Sequence, residues 1–551
     1  MADASSGKIL EVNLFGACVV RAADGVSFEI TGAKHKAMFA LLATAPFGRR
    51  TRAFLQDTLW GTACYDSGRQ SLRRALSDVK GSMGDAFNTV LTATNAELTL
   101  DLTKVKFVGR PGGGEFLEGL NIKEAGFQRW LEGMRADPTQ IDALFSLSSQ
   151  APQRPVLPVV AVIPFRTIAG GNDQQVLGDW LAEEIARSLA RSNLMSVISH
   201  LSSRRMVASN IDIEVIREKL GADFLVSGSL RPDGDGIALD ADFLDLRTGQ
   251  ILWTRRFSGT LGDFLSRDAP GLSHIIRTVG ASIADDAIRH TAGRTLASIE
   301  DHRLLSAGVG LMHRTTLRDF ARSRELLHEA IRRAPRAAEA HAWLGKWHVL
   351  SVFNGWTSDP ALDTAQAIDA TARALDIDPD STFALTVDGF AHNNLLKRID
   401  IAASRYSEAL RYNPNEALSW LLKGMLHAFT DNAEEAVTFV ERARTLSPMD
   451  PFGYFFDSLS ASAYLAAEQY ELALRLADRS IATNDRHLST IRAKITALHF
   501  LGRTSEARDT GLELMRRQPD CSVSSYLRDH PAANFNLGKN VAEAMSAAGI
   551  P

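Results

Sequence analysis

Hydrophobic residues recur with two different periods along this chain, and the change of period divides it. From about residue 296 onward, almost every apolar position falls at the three-to-four spacing of an amphipathic helix. Before that point, short apolar runs of strand type are interleaved with helical stretches. ILEVNLFGACVVRAADGVSFEI (residues 9–30) predicts three short strands turning at Phe15–Gly16 and Asp24–Gly25. Next come a helix from about Ala33 to Ala45 and a second one after Pro46, with Thr51 as its N-cap and Leu59–Trp60 at its end. A third helix begins near Ser67 in SGRQSLRRALSDVKGSMG, and VLTATNAELTLDL predicts a hairpin turning at Asn95. Farther on, VVAVIPF (Val159–Phe165) reads as a buried strand, followed by a helix through Leu177, Leu181, Ile185 and Leu189. MSVIS, a short helix through Ile216 and Leu220, DFLVSGSL, IALDADFLDL and ILWTRRF complete an α/β alternation.

Within the helical region, prolines that close helices recur at Pro335, Pro379, Pro414, Pro448 and Pro519. The intervals 379→414 and 414→448 are 35 and 34 residues, near the tetratricopeptide period of about 34. The first interval, 44 residues, is lengthened by an insertion around FNGWTSDPAL. The last, 71 residues, fits two repeats with the missing stop near Asn484–Asp485. Inside the unit, WLLKG (Trp420–Gly424), then Ala436, Val440, Ala443 and Pro448, gives the large–small alternation that lets paired helices approach. Ala367 and Ala374, then Ala402, Tyr406 and Ala409, then Tyr470 and Ala473 fill the same slots. Residues 300–530 therefore resemble the tetratricopeptide repeat family, an all-α solenoid. The resemblance implies a protein or peptide partner, and the aromatic residues are assigned to the core.

The third predicted helix has two faces. Advancing 100° per residue puts Leu72, Ala75, Leu76 and Val79 on one stripe, and Ser67, Gln70, Arg73, Arg74 and Ser77 on the other, with Arg69 and Lys80 flanking. Arg pairs bidentately with guanine, Gln with adenine and Ser with either, while flanking cations neutralise phosphates, so the outer stripe suits a major groove. The order of strands, three helices and hairpin, with RAFLQDTLW (Arg52–Trp60) and GRQSLRRALSDVK (Gly68–Lys80), resembles the OmpR-type winged helix. GEFLEGLNIKEAGFQRWLEGMR (Gly114–Arg135) resembles the start of the bacterial transcriptional activator domain that follows such readers. The resemblance implies an α+β winged helix on double-stranded DNA, with Thr94 and Asn95 of the hairpin adding contacts. It also implies a place for RNA polymerase near GTACYD (residues 61–66) and a twofold dimer on paired half-sites. The hairpin itself carries no Lys or Arg between Thr92 and Leu100.

The middle region resembles the TolB amino-terminal-like α/β domain through GDWLAEEIARSLAR (Gly178–Arg191), LGADFLVSGSL and DLRTGQILWTRRF (Asp245–Phe257). Such domains also lie beside some adenylate cyclases, which opens a reading as an accessory module of a cyclic-nucleotide system. Asp240 and Asp242 alternate with apolar residues along a strand and are expected to face solvent, so with Asp223 and Asp245 they form no metal cluster. Ser227 and Ser229 around Gly228 lack the GxSxG elbow, and Trp253 is expected in the core.

Composition sharpens this division. With 45% hydrophobic and 23% charged residues over 551 positions, the chain is of ordinary globular make-up and long enough for several domains. Its net charge of −4 excludes a uniformly basic nucleic-acid coat. Arg49, Arg50, Arg52, Arg69, Arg73, Arg74 and Lys80 nevertheless crowd one stretch against Asp57, Asp66 and Asp78. Cys18, Cys64 and Cys521 are scattered, and no stretch approaches the roughly 20 apolar residues of a membrane span. A soluble, cytoplasmic protein without membrane contact is expected. No Walker A, HExxH, dinucleotide fingerprint or zinc-spaced cysteine set occurs, so neither an enzyme nor a bound cofactor or metal is expected.

The expected organisation is a winged helix at 8–110, an activator-domain-like helix and linker at 111–155, and a TolB-like domain at 156–290. Repeats at 296–530 and a tail at 531–551 follow. The expected function is transcription regulation, with the α/β and repeat regions taking the signal. The alternative is an interaction scaffold whose winged helix docks on protein.

Overall fold

The computed structural model describes residues 9–45, 48–63, 65–94, 97–108, 114–136, 156–168, 172–206, 213–265, 270–314, 316–447, 450 and 452–551. Pro448, Cys64, Asn95 and, within the expected helix and linker at 111–155, residues 111–113 and 137–155 lie outside them. The chain gathers into two compact units, each built from separate stretches. One holds residues 1–153, 336–352 and 357–412. The other holds 154–335, 353–356 and 413–551.

In the first unit, β1 (Leu10–Asn13) pairs antiparallel with β2 (Val19–Ala22). Two predicted strands are therefore present, but the third is reduced to a single bridge between Arg21 and Glu29. On the far side of β1, β6 (Val105–Val108) pairs with it in parallel. α1 (Ala33–Ala43) buries every residue from Ala37 to Ala43, which suits a helix surrounded by other elements rather than lying on a surface. β3 (Arg49–Thr51) leads into α2 (Arg52–Trp60), where the Thr51 side chain accepts the Phe54 N–H as an N-cap.

α3 (Tyr65–Met83) and α4 (Ala86–Val90) follow. A hairpin of β4 (Leu91–Ala93) and β5 (Glu97–Leu100) sets Leu91 opposite Leu100, and β3 pairs with the free edge of β5. α5 (Ala125–Ala136) turns Phe127, Leu131 and Met134 inward. Helices Ala338–Phe353, Pro360–Ile377, Thr382–Asn394 and Ile399–Tyr412 complete the unit.

The second unit opens on a mixed sheet. β12 (Gln250–Gly259), β11 (Gly236–Asp245), β10 (Phe224–Asp233), β7 (Val159–Val162) and β9 (Ser196–Val197) lie side by side in that order, and β8 (Arg166–Thr167) adds to β10. Strand alternation assigns the faces. Val160, Val162, Phe224 and Val226 pack with helices Asn172–Leu189 and Pro270–Thr291. Val159, Ala161 and Leu225 pack with helix Ile213–Leu220. Gly228, with φ of +151°, sits where a side chain would strike the Asp240 carbonyl at 2.0 Å. Close strand approach accounts for this glycine.

Arg303 ties the sheet to the helices that follow it. Its guanidinium, 3% exposed, lies 2.7 Å from Asp245 and 3.4 Å from Asp286, both buried. Beside it, burial pushes the His302 imidazole down to about 4, so at neutral pH Nδ1 accepts from Arg247 at 2.9 Å.

Repeat geometry is plain in both units. A methyl at Gly345 would come within 2.7 Å of Thr371 Cγ2, and one at Gly424 within 2.7 Å of Val440 Cγ1. Ala367, Ala374, Ala402, Tyr406, Ala409, Ala436, Val440, Ala443 and Ala473 are buried as the alternation requires. Trp420 is only half-buried and donates its indole N–H to the Pro414 carbonyl. Helix Tyr470–Thr483 stops at Asn484, where the proline is missing.

A second periodic mark is Lys397, Asp431, Glu468 and Gly502, with φ of +54°, +60°, +57° and +74°, in every second inter-helix turn. Residues 531–551 include helix Asn536–Ala547, which buries Leu537, Val541 and Met545. Among the described residues, no helix is long and apolar enough to cross a membrane.

Replacing Arg303 by Ala leaves Asp245 and Asp286 buried without their cation. The expected cost is about 3–5 kcal/mol, read as a lower urea midpoint of the full chain. An unchanged midpoint contradicts the role assigned to Arg303.

Candidate functional site

α3 is held against α2 by a close crossing. A side chain at Gly68 would lie 2.9 Å from Gln56 Cγ, so this position admits little more than hydrogen. Beyond it Leu72, Ala75, Leu76, Val79 and Met83 face inward. Ser67, Arg69, Gln70, Arg73, Arg74, Ser77 and Lys80 are all exposed. The two-faced helix thus has the burial that its periodicity implies.

The basic run from Arg49 to Lys80 does not stay together. Arg50 is fully buried. It pairs with Asp376, donates to the Leu41 carbonyl at 3.2 Å, and stacks over Phe54 at 4.8 Å. Burial lowers Arg50 and raises Asp376, offsetting part of what the pairing contributes. Arg49 pairs with Asp380. The first two members of the run are therefore taken up by internal ion pairs.

Arg52 does the opposite. Its Nε donates to the Thr94 carbonyl at 2.6 Å, and burial followed by the nearby charges of Arg73 and Arg69 lowers its pKa. The hairpin, lacking a cation of its own, thus has one supplied by α2. Thr94 itself is exposed. In the loop before α3, Thr62 is bound through its N–H (3.1 Å) and hydroxyl to Glu124, which also takes Lys34 at 2.8 Å.

The second cluster lies inside the same unit. Arg405, 3% exposed, donates Nε to Asp388 at 2.6 Å and Nη2 to Asp57, and Asp388 also accepts from Thr371 at 2.6 Å. His392 Nε2 is 3.7 Å from Asp388. Burial pushes Asp57 up despite Arg405. Burial pushes Asp388 up as well, but Arg405, His392 and Thr371 together bring it below its ordinary value.

Asp57, Asp388 and His392 offer ligand atoms within 4.8 Å of one another. The Arg405 guanidinium already bonds to both carboxylates, so the group is an ion-pair hub rather than a metal centre. Asp223, Asp240, Asp242 and Asp245 do not converge either. Their partners are Arg247, Arg256, Thr254 and Arg303. Asp240 and Asp242 are half-buried, not free in solvent, because cross-strand partners on β12 hold them. The hub had no local signature, since Asp57 and Arg405 are 348 residues apart. The only signal was a lone charge in an otherwise apolar helical run such as TFALTVDGFA.

The tetratricopeptide repeat family matches residues 316–348 and 396–451. These stretches carry the helix pairs and small-residue contacts described above, so the C-terminal region holds tetratricopeptide repeats, a fold suited to protein interaction. A protein of Rhizobium meliloti (strain 1021) named "Putative adenylate cyclase 3" is 25% identical over 227 residues, 41% of this chain and 39% of that one. The chain thus matches well under half the length of that relative.

Among solved structures, a thermophilic tetratricopeptide protein of Thermus thermophilus is 19% identical, with 35% of this chain and 97% of that one covered and a TM-score of 0.29. The pilF protein of Pseudomonas aeruginosa is 17% identical, with 43% and 95% covered and a TM-score of 0.28.

Glu408, 3.8 Å from Arg405, gives the hub a pH signature. Burial pushes its carboxyl up to about 6, against the pull of Arg405. A carboxyl raised on folding binds more protons in the folded state, so stability falls as pH rises from the ordinary value through 6. Glu408→Gln should flatten that slope, changing the difference between pH 4.5 and 6 by on the order of 1 kcal/mol. Parallel pH–stability curves for parent and variant contradict this assignment.

Proposed function

We propose that the chain is a non-enzymatic, DNA-binding transcription regulator that reads duplex DNA through the outer face of α3. The observation carrying this reading is the solvent-facing set Ser67, Arg69, Gln70, Arg73, Arg74, Ser77 and Lys80 on one side of a 19-residue helix. Gln70, Arg73 or Arg74, and Ser77 lie three to four residues apart, so they project toward successive base pairs. Arg69, Lys80 and Arg52 supply phosphate contacts, the last at the hairpin. In this reading the N-terminal α+β region acts as a winged helix. The TolB-like and repeat regions receive the signal, and a protein or peptide engages the repeats.

A second reading, a scaffold whose α3 docks on protein, draws support from the repeat match alone. The cyclase named among the relatives lends a cyclic-nucleotide role to neither reading, because the match spans only 39% of that protein.

Fluorescence anisotropy with duplex DNA at several salt concentrations tests the proposal. Affinity should fall steeply with salt, and Arg52→Ala should reduce the slope by about one phosphate contact. Arg73→Ala with Arg74→Ala should cost about 1–3 kcal/mol per base contact and relax sequence preference. A double variant that binds every duplex as the parent does removes α3 as the reader. If the parent shows no salt-dependent binding at all, the scaffold reading stands.

A further inference from the structure

Helices Ala417–Phe429, Gly453–Ala466 and Leu488–Phe500 are the first helices of three successive repeats, and they pack side by side. A surface shared by several repeats is where solenoids of this kind take a partner. In this chain helix Asn536–Ala547 rests on all three. Its far end reaches helix Thr504–Arg517, where a methyl on Gly511 would come within 2.9 Å of the Ala548 carbonyl.

The resting helix is sorted by face. Leu537, Val541, Ala544, Met545 and Ala548 are buried, and their spacing is the stripe of an amphipathic helix laid on an apolar surface. Asn536, Lys539, Glu543, Ser546 and Ala547 are exposed. Ala544 and Met545 keep no exposed surface at all. The seat therefore accepts small side chains at close range beside a few larger apolar ones.

Polar ties to the seat lie at its margin. The Asp431 carboxylate accepts the Asn536 N–H at 3.0 Å, and His499 Nε2 lies 3.4 Å from Glu543, both in exposed positions. Past the helix, the Val523 N–H donates to the Pro551 carbonyl at 2.7 Å. The chain entering the helix is anchored separately, with the His530 ring 4.6 Å from that of Tyr526 and 5.3 Å from that of Phe429. A helix of 12 residues is marginal in water by itself, so its order depends on the apolar stripe. That contact is non-directional, and another helix with the same stripe meets the same surface.

We propose that the shared surface of these three first helices docks an amphipathic helix of a partner protein, with helix Asn536–Ala547 as its built-in competitor. The partner helix carries large apolar residues where Leu537, Val541 and Met545 stand, small ones at Ala544 and Ala548, and polar residues opposite. Tethering holds the competitor at an effective concentration of about millimolar, so it screens out weak partners. The site concerns the repeats alone and does not depend on whether α3 reads DNA.

A fluorescent peptide of residues 530–551 is the probe, titrated into the full chain and followed by anisotropy. Ala544→Arg in the chain sets a charge against the seat and loosens the competitor. This variant should bind the peptide saturably at micromolar concentration, and the parent about tenfold or more weakly. A peptide that itself carries Ala544→Arg should bind neither. In the parent, hydrogen exchange should show helix Asn536–Ala547 opening about tenfold or more often than helix Leu488–Phe500. Equal peptide binding by parent and folded variant, or none by the variant, overturns the proposal. So does a shared opening of the two helices in the parent, which makes Asn536–Ala547 a fixed cap and decides the matter if the variant fails to fold. A parent that elutes as a dimer beside a monomeric variant makes a second copy's helix the occupant, and overturns it as well.

Discussion

A guanidinium withdrawn from water and held between carboxylates is the interaction on which this architecture turns. In the first unit Arg405 lies between Asp57 of α2 and Asp388 of helix Thr382–Asn394, and Arg50 lies on Asp376. In the second unit Arg303 lies between Asp245 of β11 and Asp286 of helix Pro270–Thr291. Each pair forfeits much of its hydration, so it adds less stability than its short distances imply. Its leverage lies in the penalty for any other arrangement. Slide α2 away from helix Ile399–Tyr412, and a buried cation loses one anion and retains uncompensated charge. Apolar contacts alone would tolerate that slide far better, because the hydrophobic effect is non-directional.

The hub therefore makes one body of elements that are remote in sequence. α2 carries Asp57 on one side and meets α3 at the Gly68 crossing on the other. A change at the repeat helices that loosened Arg405 would be felt at the support of the exposed arginines of α3.

What was legible in the sequence follows from the range of the forces involved. Periodic burial is local: the inward stripe of Leu72, Ala75, Leu76 and Val79, the cap at Thr51, and the helix stop at Asn484 could all be read directly. The repeats were legible because the same small residues return at a fixed interval. Their left-handed turns were not. Only Gly502 carries the residue that announces such a backbone, while Lys397, Asp431 and Glu468 adopt it against a steric cost of roughly 1–2 kcal/mol. Arg50 was counted with the basic surface because neighbouring charges gave no hint of Asp376. Pairings across hundreds of residues leave no mark in local composition.

Native-state hydrogen exchange on the parent and on Asp57→Asn tests the joint role of the hub most directly. If the ion pairs make the N-terminal region and the repeat helices one cooperative body, the slowest amides of α2 and of helices Thr382–Asn394 and Ile399–Tyr412 share one opening free energy. Asp57→Asn should then lower it by the same amount in all three. Loss of protection confined to α2, with the two repeat helices unchanged, would contradict the account.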